Sequence, residues 1–402
     1  MEYTICLVGT LDTKGNEYAY LKHCIESLGG STLVVDCGLF PPDGLSPDIG
    51  ADDVAAACGT DRSALISAGD PGAAVVAMSR GAAAVVRGLY DEGRINGVIS
   101  MGGGQGTTVA AAVCNALPAG FPKLILSTIA LVDKTPFQGI SDALVMDPIV
   151  DISGSNTLLH RALHNAAAAV CGMAAAPYRE PENSRPCIAV SMFGITTPCG
   201  ERVCARLSQA GFDPLVFHGT GTGGAALEKL VRSGAVRGVI DMTLTEVGQY
   251  FLGGLSGTVP DRMCAAAEAG IPQVIAPGAV DAVNYMAPAG IPERFRGTRL
   301  FYMHNATVAL MRTNAEENAL IGKTIAERAG KSSAPVSILL PLRGVSAYDR
   351  EGEVFHDPGA DAALFAAVEQ NLCGGTALKK LDLHINDTEF ADALVDELLT
   401  ML

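Results

Sequence analysis

Ile95-Asn-Gly-Val-Ile-Ser-Met-Gly-Gly-Gly-Gln-Gly-Thr-Thr108 passes from a short apolar run directly into glycines, then two hydroxyl residues, then an alanine-rich segment. The pattern predicts a buried strand, a tight turn and a helix, the repeating unit of a parallel α/β sheet. Glycines let the backbone turn sharply and lie close to a ligand. Free N–H groups at a helix start favour an anion. A phosphate or carboxylate is the simplest ligand for such a loop, and a bare strand-to-helix turn is the alternative. The spacing lacks the P-loop lysine and is not a dinucleotide fingerprint.

A second loop has the same form. Thr4-Ile-Cys-Leu-Val-Gly-Thr-Leu-Asp-Thr-Lys-Gly-Asn-Glu17 also runs from an apolar stretch into Gly9 and a polar cluster. A helix is predicted from about Asn16. In an open parallel sheet the loops at the carboxyl ends of the strands share one rim, and ligands bind there. Two such loops on one rim point to one anion pocket.

Strand-like and helix-like runs alternate along the whole chain. In the first half, strands are predicted at 4–9, 31–37, 97–101, 123–127 and near 144–146. The charged, proline-rich stretch 177–186 breaks both periodicities and reads as a linker. The second half then restarts at Cys187. Gly-Ala-Val-Arg-Gly-Val-Ile at 234–240 echoes Gly-Arg-Ile-Asn-Gly-Val-Ile at 93–99. Ile5 and Ile188 lie farther apart than these echoes, so the first half contains an insertion at about 40–80. The expected fold class is α/β. Two Rossmann-like domains, 1–180 and 187–402, each carry a mostly parallel sheet flanked by helices, with a cleft between them.

The chain has 402 residues, 49% of them hydrophobic, and a net charge of −15. That charge argues against a nucleic-acid partner, because phosphate backbones need lysine and arginine. No apolar run is read as membrane-spanning and no signal peptide is evident. The eleven cysteines form no CxxC pair, which fits a reduced, cytoplasmic protein. Cys37 and Cys199 sit in loop-like settings. His160 and His164 lie one turn apart on a predicted helix, a metal-binding spacing. No third ligand accompanies them, so they read as ordinary helix residues behind the caps Ser155 and Asn156. No dedicated metal site is expected.

The motifs Val8-Gly-Thr-Leu-Asp-Thr-Lys-Gly-Asn-Glu, Met101-Gly-Gly-Gly-Gln-Gly-Thr-Thr, Asp241-Met-Thr-Leu-Thr-Glu and Pro277-Gly-Ala-Val-Asp resemble those of the Tm-1-like ATP-binding proteins, the UPF0261 family. His304-Asn-Ala-Thr-Val-Ala-Leu-Met-Arg-Thr and Leu340-Pro-Leu-Arg-Gly-Val-Ser-Ala-Tyr-Asp match as well. The resemblance covers essentially the whole chain. It implies two Rossmann-like domains, ATP bound by the first, and a homodimer. Plant members carry a further C-terminal barrel domain that is not expected here, so the antiviral role of the plant namesake is not carried over.

The nucleotide is expected on Gly9, Thr10, Asp12, Thr13 and Lys14 from one loop and Gly102, Gly103, Gly104, Gly106, Thr107 and Thr108 from the other. Backbone amides and hydroxyls would hold phosphates, with Lys14 as a point charge. Asp36, ending the second strand, stands where a ribose-binding carboxylate sits in Rossmann folds, or serves as a turn residue. Mg²⁺ suits the phosphates as counter-ion. In the second half, His218, Glu246 and His304 are the candidate acid–base groups. Thr243, Asn305, Arg312 and Arg343 are the candidate substrate ligands. Three functions fit. One is an enzyme acting on a small oxygenated acid or sugar acid in the cleft. The second is a nucleotide-responsive binding protein without turnover. In the third, the glycine loops hold a carboxylate.

Overall fold

The computed structural model describes residues 2–132, 142–176, 178, 181 and 184–402. The chain divides into two units, Met1–Glu180 and Pro181–Leu402. Half of the predicted linker 177–186, at 177, 179, 180, 182 and 183, lies outside the described residues.

Unit 1 holds strands β1 (Thr4–Gly9), β2 (Ser31–Asp36), β3 (Gly97–Gly102), β4 (Lys123–Ser127) and β5 (Leu144–Met146). They form one sheet in the order β2-β1-β3-β4-β5, with every pairing parallel. All of β3 and β4 is buried, as near-continuous apolar strands covered on both faces must be. Helices α1 (Leu11–Ser27) and α6 (Thr157–Ala175) pack with one face of the sheet through Leu21, Ile25, Leu163 and Val170. The other face carries α4 (Pro71–Asp91) and α5 (Gly104–Ala116), through Met78, Val86, Val109 and Val113.

The 40–80 insertion supplies α2 (Ala51–Ala57) and α3 (Arg62–Ala68). Val54 and Ala55 of α2 join the α4 side of the core. Helix α4 is the one described helix long and apolar enough to cross a membrane by length and composition. That corrects the expectation of no such run. Its stripe Ala74, Ala77, Met78, Ala82, Val86 and Leu89 is buried in the core of unit 1.

Unit 2 repeats the winding. Strands β6 (Cys187–Met192), β7 (Asp213–His218), β8 (Gly238–Thr243), β9 (Gln273–Gly278), β13 (Val336–Pro341) and β14 (Ala377–Leu381) lie in the order β14-β13-β9-β8-β6-β7. Counted from its own first strand, each unit starts 2-1-3-4-5. Between β7 and β8 there is only helix α8 (Thr222–Arg232), where unit 1 has three helices. The segment around 299–303 follows the same apolar pattern but does not join this parallel sheet. It becomes β11 (Phe301–Met303) of a separate antiparallel sheet with β10 (Ala282–Met286) and β12 (Val308–Arg312).

In a 2-1-3 order the chain leaves the first and third strands to opposite sides, so the crevice between them opens at their carboxyl ends. In unit 1 a phenol holds that crevice. The β1–β3 register runs from Ile5↔Gly97 to Val8↔Ser100. Beyond it the Met101 amide donates to the Tyr18 hydroxyl at 2.8 Å, and that hydroxyl donates to the Val8 carbonyl at 2.6 Å. The hydroxyl thus sits between Val8 and Met101, two backbone groups that would otherwise face each other unpaired. Burial pushes the phenol above its ordinary range. Tyr18→Phe leaves a buried N–H and C=O unpaired and is expected to lower unfolding stability by about 1–3 kcal/mol. The urea midpoint of the variant against wild type measures this, and an unchanged midpoint refutes it.

Candidate functional site

Helix α1 begins at Leu11, so Asp12, Thr13 and Lys14 occupy its first turn instead of the predicted loop. The turn is broken at Lys14 (φ −132°, ψ 16°). Gly9 is explained by packing: a Cβ there would meet the Tyr18 ring at 2.1–2.3 Å. Gly102 and Gly106 are likewise structural. A Cβ on Gly102 would lie 2.9 Å from the Gly106 Cα, and one on Gly106 2.9 Å from the Met101 carbonyl. These contacts let α5 start directly from β3. Gly104 has nothing within 4 Å of its Cβ position, and Gly103 has only the Thr128 hydroxyl at 3.6 Å. The first intrahelical amide bond of α5 is Thr107 N–H to the Gly103 carbonyl at 2.8 Å. The amides of Gly104, Gln105 and Gly106 precede it, with no side-chain cap.

A cavity of about 310 Å³ reaches this turn at Gln105, while Gly102, Gly103, Gly104 and Gly106 do not line it. Thr10, Asp12 and Thr13 form one wall and Gln105 and Val109 of α5 another. The insertion and α4 supply an apolar wall that includes Leu65, Ile66, Val75 and Met78. The cavity therefore sits at the carboxyl ends of β1 and β3 and is walled by the segment that unit 2 lacks. Asp12 Oδ2 accepts from the amides of Leu39 and Phe40 at 3.0 and 3.1 Å. Its Oδ1 is buried with no hydrogen-bond partner.

Other predicted nucleotide ligands are occupied. The Asp36 carboxylate accepts the Leu11 and Gly38 amides on Oδ1, at 3.0 and 2.8 Å, and ties β2 to the start of α1. Burial raises its pKa, against the lowering by those two amides. The Thr107 hydroxyl pairs with Ser127 at 2.7 Å, and Thr108 donates back to the Gly104 carbonyl at 3.0 Å. Thr10 and Thr13 share a hydroxyl contact of 3.0 Å. His160 stacks on Tyr20 at 4.0 Å and meets the Ser155 hydroxyl at 3.2 Å. Asn156 caps α6 by accepting from Leu159. Among the described residues no group of three His, Cys, Asp or Glu is placed to hold a metal.

The acid–base set expected in unit 2 is not assembled. Glu246 is fully buried. It accepts from the Gly221 and Gly224 amides at 2.6 and 3.1 Å and from Arg262 Nε at 2.6 Å. Arg262, itself fully buried, also binds Asp241 through two nitrogens at 2.7 Å each and Glu228 at 3.0 Å. Burial raises the Glu228 pKa. Glu246 thus has both carboxylate oxygens engaged within the protein. The His218 ring lies 5.4 Å from Phe193. His304 is exposed on the turn between β11 and β12, with Nδ1 3.3 Å from the Tyr348 hydroxyl. The two histidines share no hydrogen bond or ring contact with each other or with Glu246.

The predicted substrate ligands are also engaged. The Asn305 side chain closes its own turn by accepting from the Thr307 and Val308 amides, each at 2.9 Å. Arg312 is buried and donates to Phe355, Thr313, Asp349 and Asp361, which leaves it no fork for a substrate. Arg343 is exposed and paired through two nitrogens with Asp382 at 2.6 and 2.8 Å. The buried Thr243 hydroxyl contacts Thr196 at 2.8 Å. Sequence reasoning missed Tyr18, Arg262, Gly38 and His384. Only the insertion offered a signal, as a run between two strands too long for one crossover.

Profiles of the uncharacterised protein family UPF0261 match residues 3–179 with its N-terminal domain and 185–402 with its C-terminal domain. The chain belongs to this family. A UPF0261 protein of Clostridium tetani is 42% identical over all of both chains. One from Rhizobium meliloti is 44% identical over 97% of each. The tomato ToMV resistance protein Tm-1 is 39% identical over 82% of this chain and 44% of its own length. Among solved structures, a UDP-N-acetylglucosamine 2-epimerase aligns over 100% of this chain and 96% of its own. Its identity of 9% and TM-score of 0.26 carry no argument.

Two predictions follow from the geometry of this UPF0261 unit 2. Arg262→Met strands three buried carboxylates without a counter-charge, so it should destabilise the unit by about 3–5 kcal/mol. Calorimetric unfolding measures this, and a loss under about 1 kcal/mol refutes it. The second concerns His384, whose Nε2 faces the Ser346 carbonyl at 2.8 Å while Nδ1 accepts from Asn386 at 3.1 Å. That arrangement holds the ring neutral, and burial lowers its pKa. Its stabilisation is therefore complete above the unfolded histidine pKa of about 6.5 and drains away as pH falls below it. The stability gap between wild type and His384→Gln should shrink from pH 7.5 to pH 5 in urea titrations. A constant gap contradicts it.

Proposed function

We propose that unit 1 binds ATP or a closely related phosphorylated nucleotide at the carboxyl ends of β1 and β3. The observation that carries this is the cavity of about 310 Å³, which meets the uncapped first turn of α5 at Gln105 and sets it opposite an apolar wall at a sheet switch point. The phosphates lie against the amides of Gly104, Gln105 and Gly106, where the α5 dipole and the open Gly103–Gly104 backbone favour a close anion. Lys14, which has no ion pair among the described residues, adds a nearby positive charge. The base packs on the insertion wall of Leu65, Ile66, Val75 and Met78. Mg²⁺ suits the phosphates as their counter-ion.

Response to nucleotide without turnover is the better supported use of this site. Glu246 has both oxygens committed inside the protein, and His218 and His304 lie in separate surroundings. A binding module needs only the occupied and empty states of unit 1 to differ.

A thermal-shift measurement tests the proposal. ATP with Mg²⁺ at about one hundred times its Kd stabilises the occupied state by about 2.7 kcal/mol, a rise of several degrees in Tm. Gln105→Glu places a carboxylate in the first turn of α5, where the dipole favours it but where it repels a phosphate. This variant should keep or raise the Tm of the free protein and lose the ATP shift. No shift in wild type, or an undiminished shift in Gln105→Glu, defeats the proposal.

A further inference from the structure

We propose that Asp12 receives the ribose hydroxyls of the bound nucleotide, in place of the carboxylate that ends the second strand of a Rossmann fold. The inference rests on the nucleotide site proposed above and deepens it. In that fold an acidic side chain at the tip of the second strand takes the ribose 2′-hydroxyl. Here that position is Asp36, and Asp36 is turned inward. It is buried, and its Oδ1 takes the amides of Leu11 and Gly38. The tail of β2 therefore keeps no strand-end carboxylate for a ligand.

Asp12 fills the gap from the first turn of α1. Its Oδ2 binds the amides of Leu39 and Phe40, which anchors the carboxyl on the tail of β2. Gly38 has no side chain because that carboxyl occupies the place: a Cβ would lie 2.8 Å from Asp12 Cγ and 2.9 Å from Oδ1. The group is thus held on three successive residues, Gly38, Leu39 and Phe40. Anchored this way, Asp12 lines the cavity together with Leu39 and Phe40. Its Oδ1 is buried and has no donor. A buried carboxylate oxygen without a partner is costly and calls for one. A ribose diol supplies hydroxyl donors between the phosphates on α5 and a base on the insertion wall.

The experiment compares calorimetric affinities of ATP, 2′-deoxy-ATP and 3′-deoxy-ATP for wild type and Asp12→Asn. Asparagine keeps a carbonyl for the Leu39 and Phe40 amides, so the anchor survives. Wild type should bind ATP about 10-fold or more tighter than at least one deoxy analogue, because the missing hydroxyl leaves Oδ1 unpaired again. In Asp12→Asn that ratio should fall below about 3-fold. Gly38→Ala, which drives a methyl into the carboxyl, should lower the ratio as well. Equal affinity of wild type for all three nucleotides overturns the assignment to Asp12 while leaving the nucleotide site standing. An undiminished ratio in a folded Asp12→Asn does the same. No binding of any of the three by wild type removes the nucleotide site itself, and this inference with it. Should Asp12→Asn fail to fold, the analogue series on wild type decides alone.

Discussion

Everything at the candidate site depends on how two parallel strands are held together where they part. In a 2-1-3 sheet the first and third strands pair along most of their length, then send their chains to opposite sides. The backbone groups at the parting point need partners in a place from which water is excluded. Unit 1 meets this need with the Tyr18 hydroxyl, interposed between Val8 and Met101. Unit 2 meets it with the Ser191 hydroxyl, which accepts from the Thr243 amide at 3.0 Å and donates to Asp241 at 2.7 Å. Each unit thus places a hydroxyl at its crevice. They differ in what the hydroxyl leads to: a tyrosine ring stacked under Gly9 in one, and a buried ionic cluster in the other.

That difference separates the roles of the units. In unit 1 the parting point is closed by a neutral group, and among the described residues Asp12, Lys14 and Asp36 around it form no ion pair. The insertion then adds a wall and turns the crevice into a cavity. In unit 2, Asp241 extends the Ser191 contact to Arg262, and Arg262 gathers Glu228 and Glu246. A buried guanidinium with three carboxylates is worth little as net stabilisation, because desolvation offsets most of the attraction, yet removing any part of it is severe. Such a cluster fixes how α8, the Glu246 helix and β8 meet.

The fold was legible because strands buried on both faces leave near-continuous apolar runs, and glycine punctuation marks where they end. The winding repeated at 93–99 and 234–240, and the insertion between β2 and β3, followed from the same signals. The site was only half legible. Sequence shows that Gly9, Gly102 and Gly106 are glycines but not whether a ligand or a neighbouring atom requires it. Here the Tyr18 ring, Gly106 and the Met101 carbonyl account for them. Gly103 and Gly104 look the same in sequence, yet Gly104 faces open space and Gly103 meets only the Thr128 hydroxyl at 3.6 Å. The strand-end polar groups of unit 2 misled for a related reason. Arg262 and Arg312 lie outside the pattern that flags a strand end as a site, or lie inside it with their buried partners unseen.

Asp12 and Asp36 show what decides between architecture and chemistry. Both follow parallel strands, both sit near the same crevice, and both accept two backbone amides. Asp36 spends one oxygen on amides from two elements, Leu11 and Gly38, and so ties strand to helix. Asp12 spends one oxygen on adjacent amides of one segment, Leu39 and Phe40, and so is aimed by that segment. A carboxylate that joins elements is held by the fold and must stay where it is. A carboxylate anchored on one side, with its second oxygen unpaired at a cavity wall, leaves the fold intact whether or not that oxygen finds a partner. Only the second kind of group can answer to a ligand, and in unit 1 the first turn of α1 provides it.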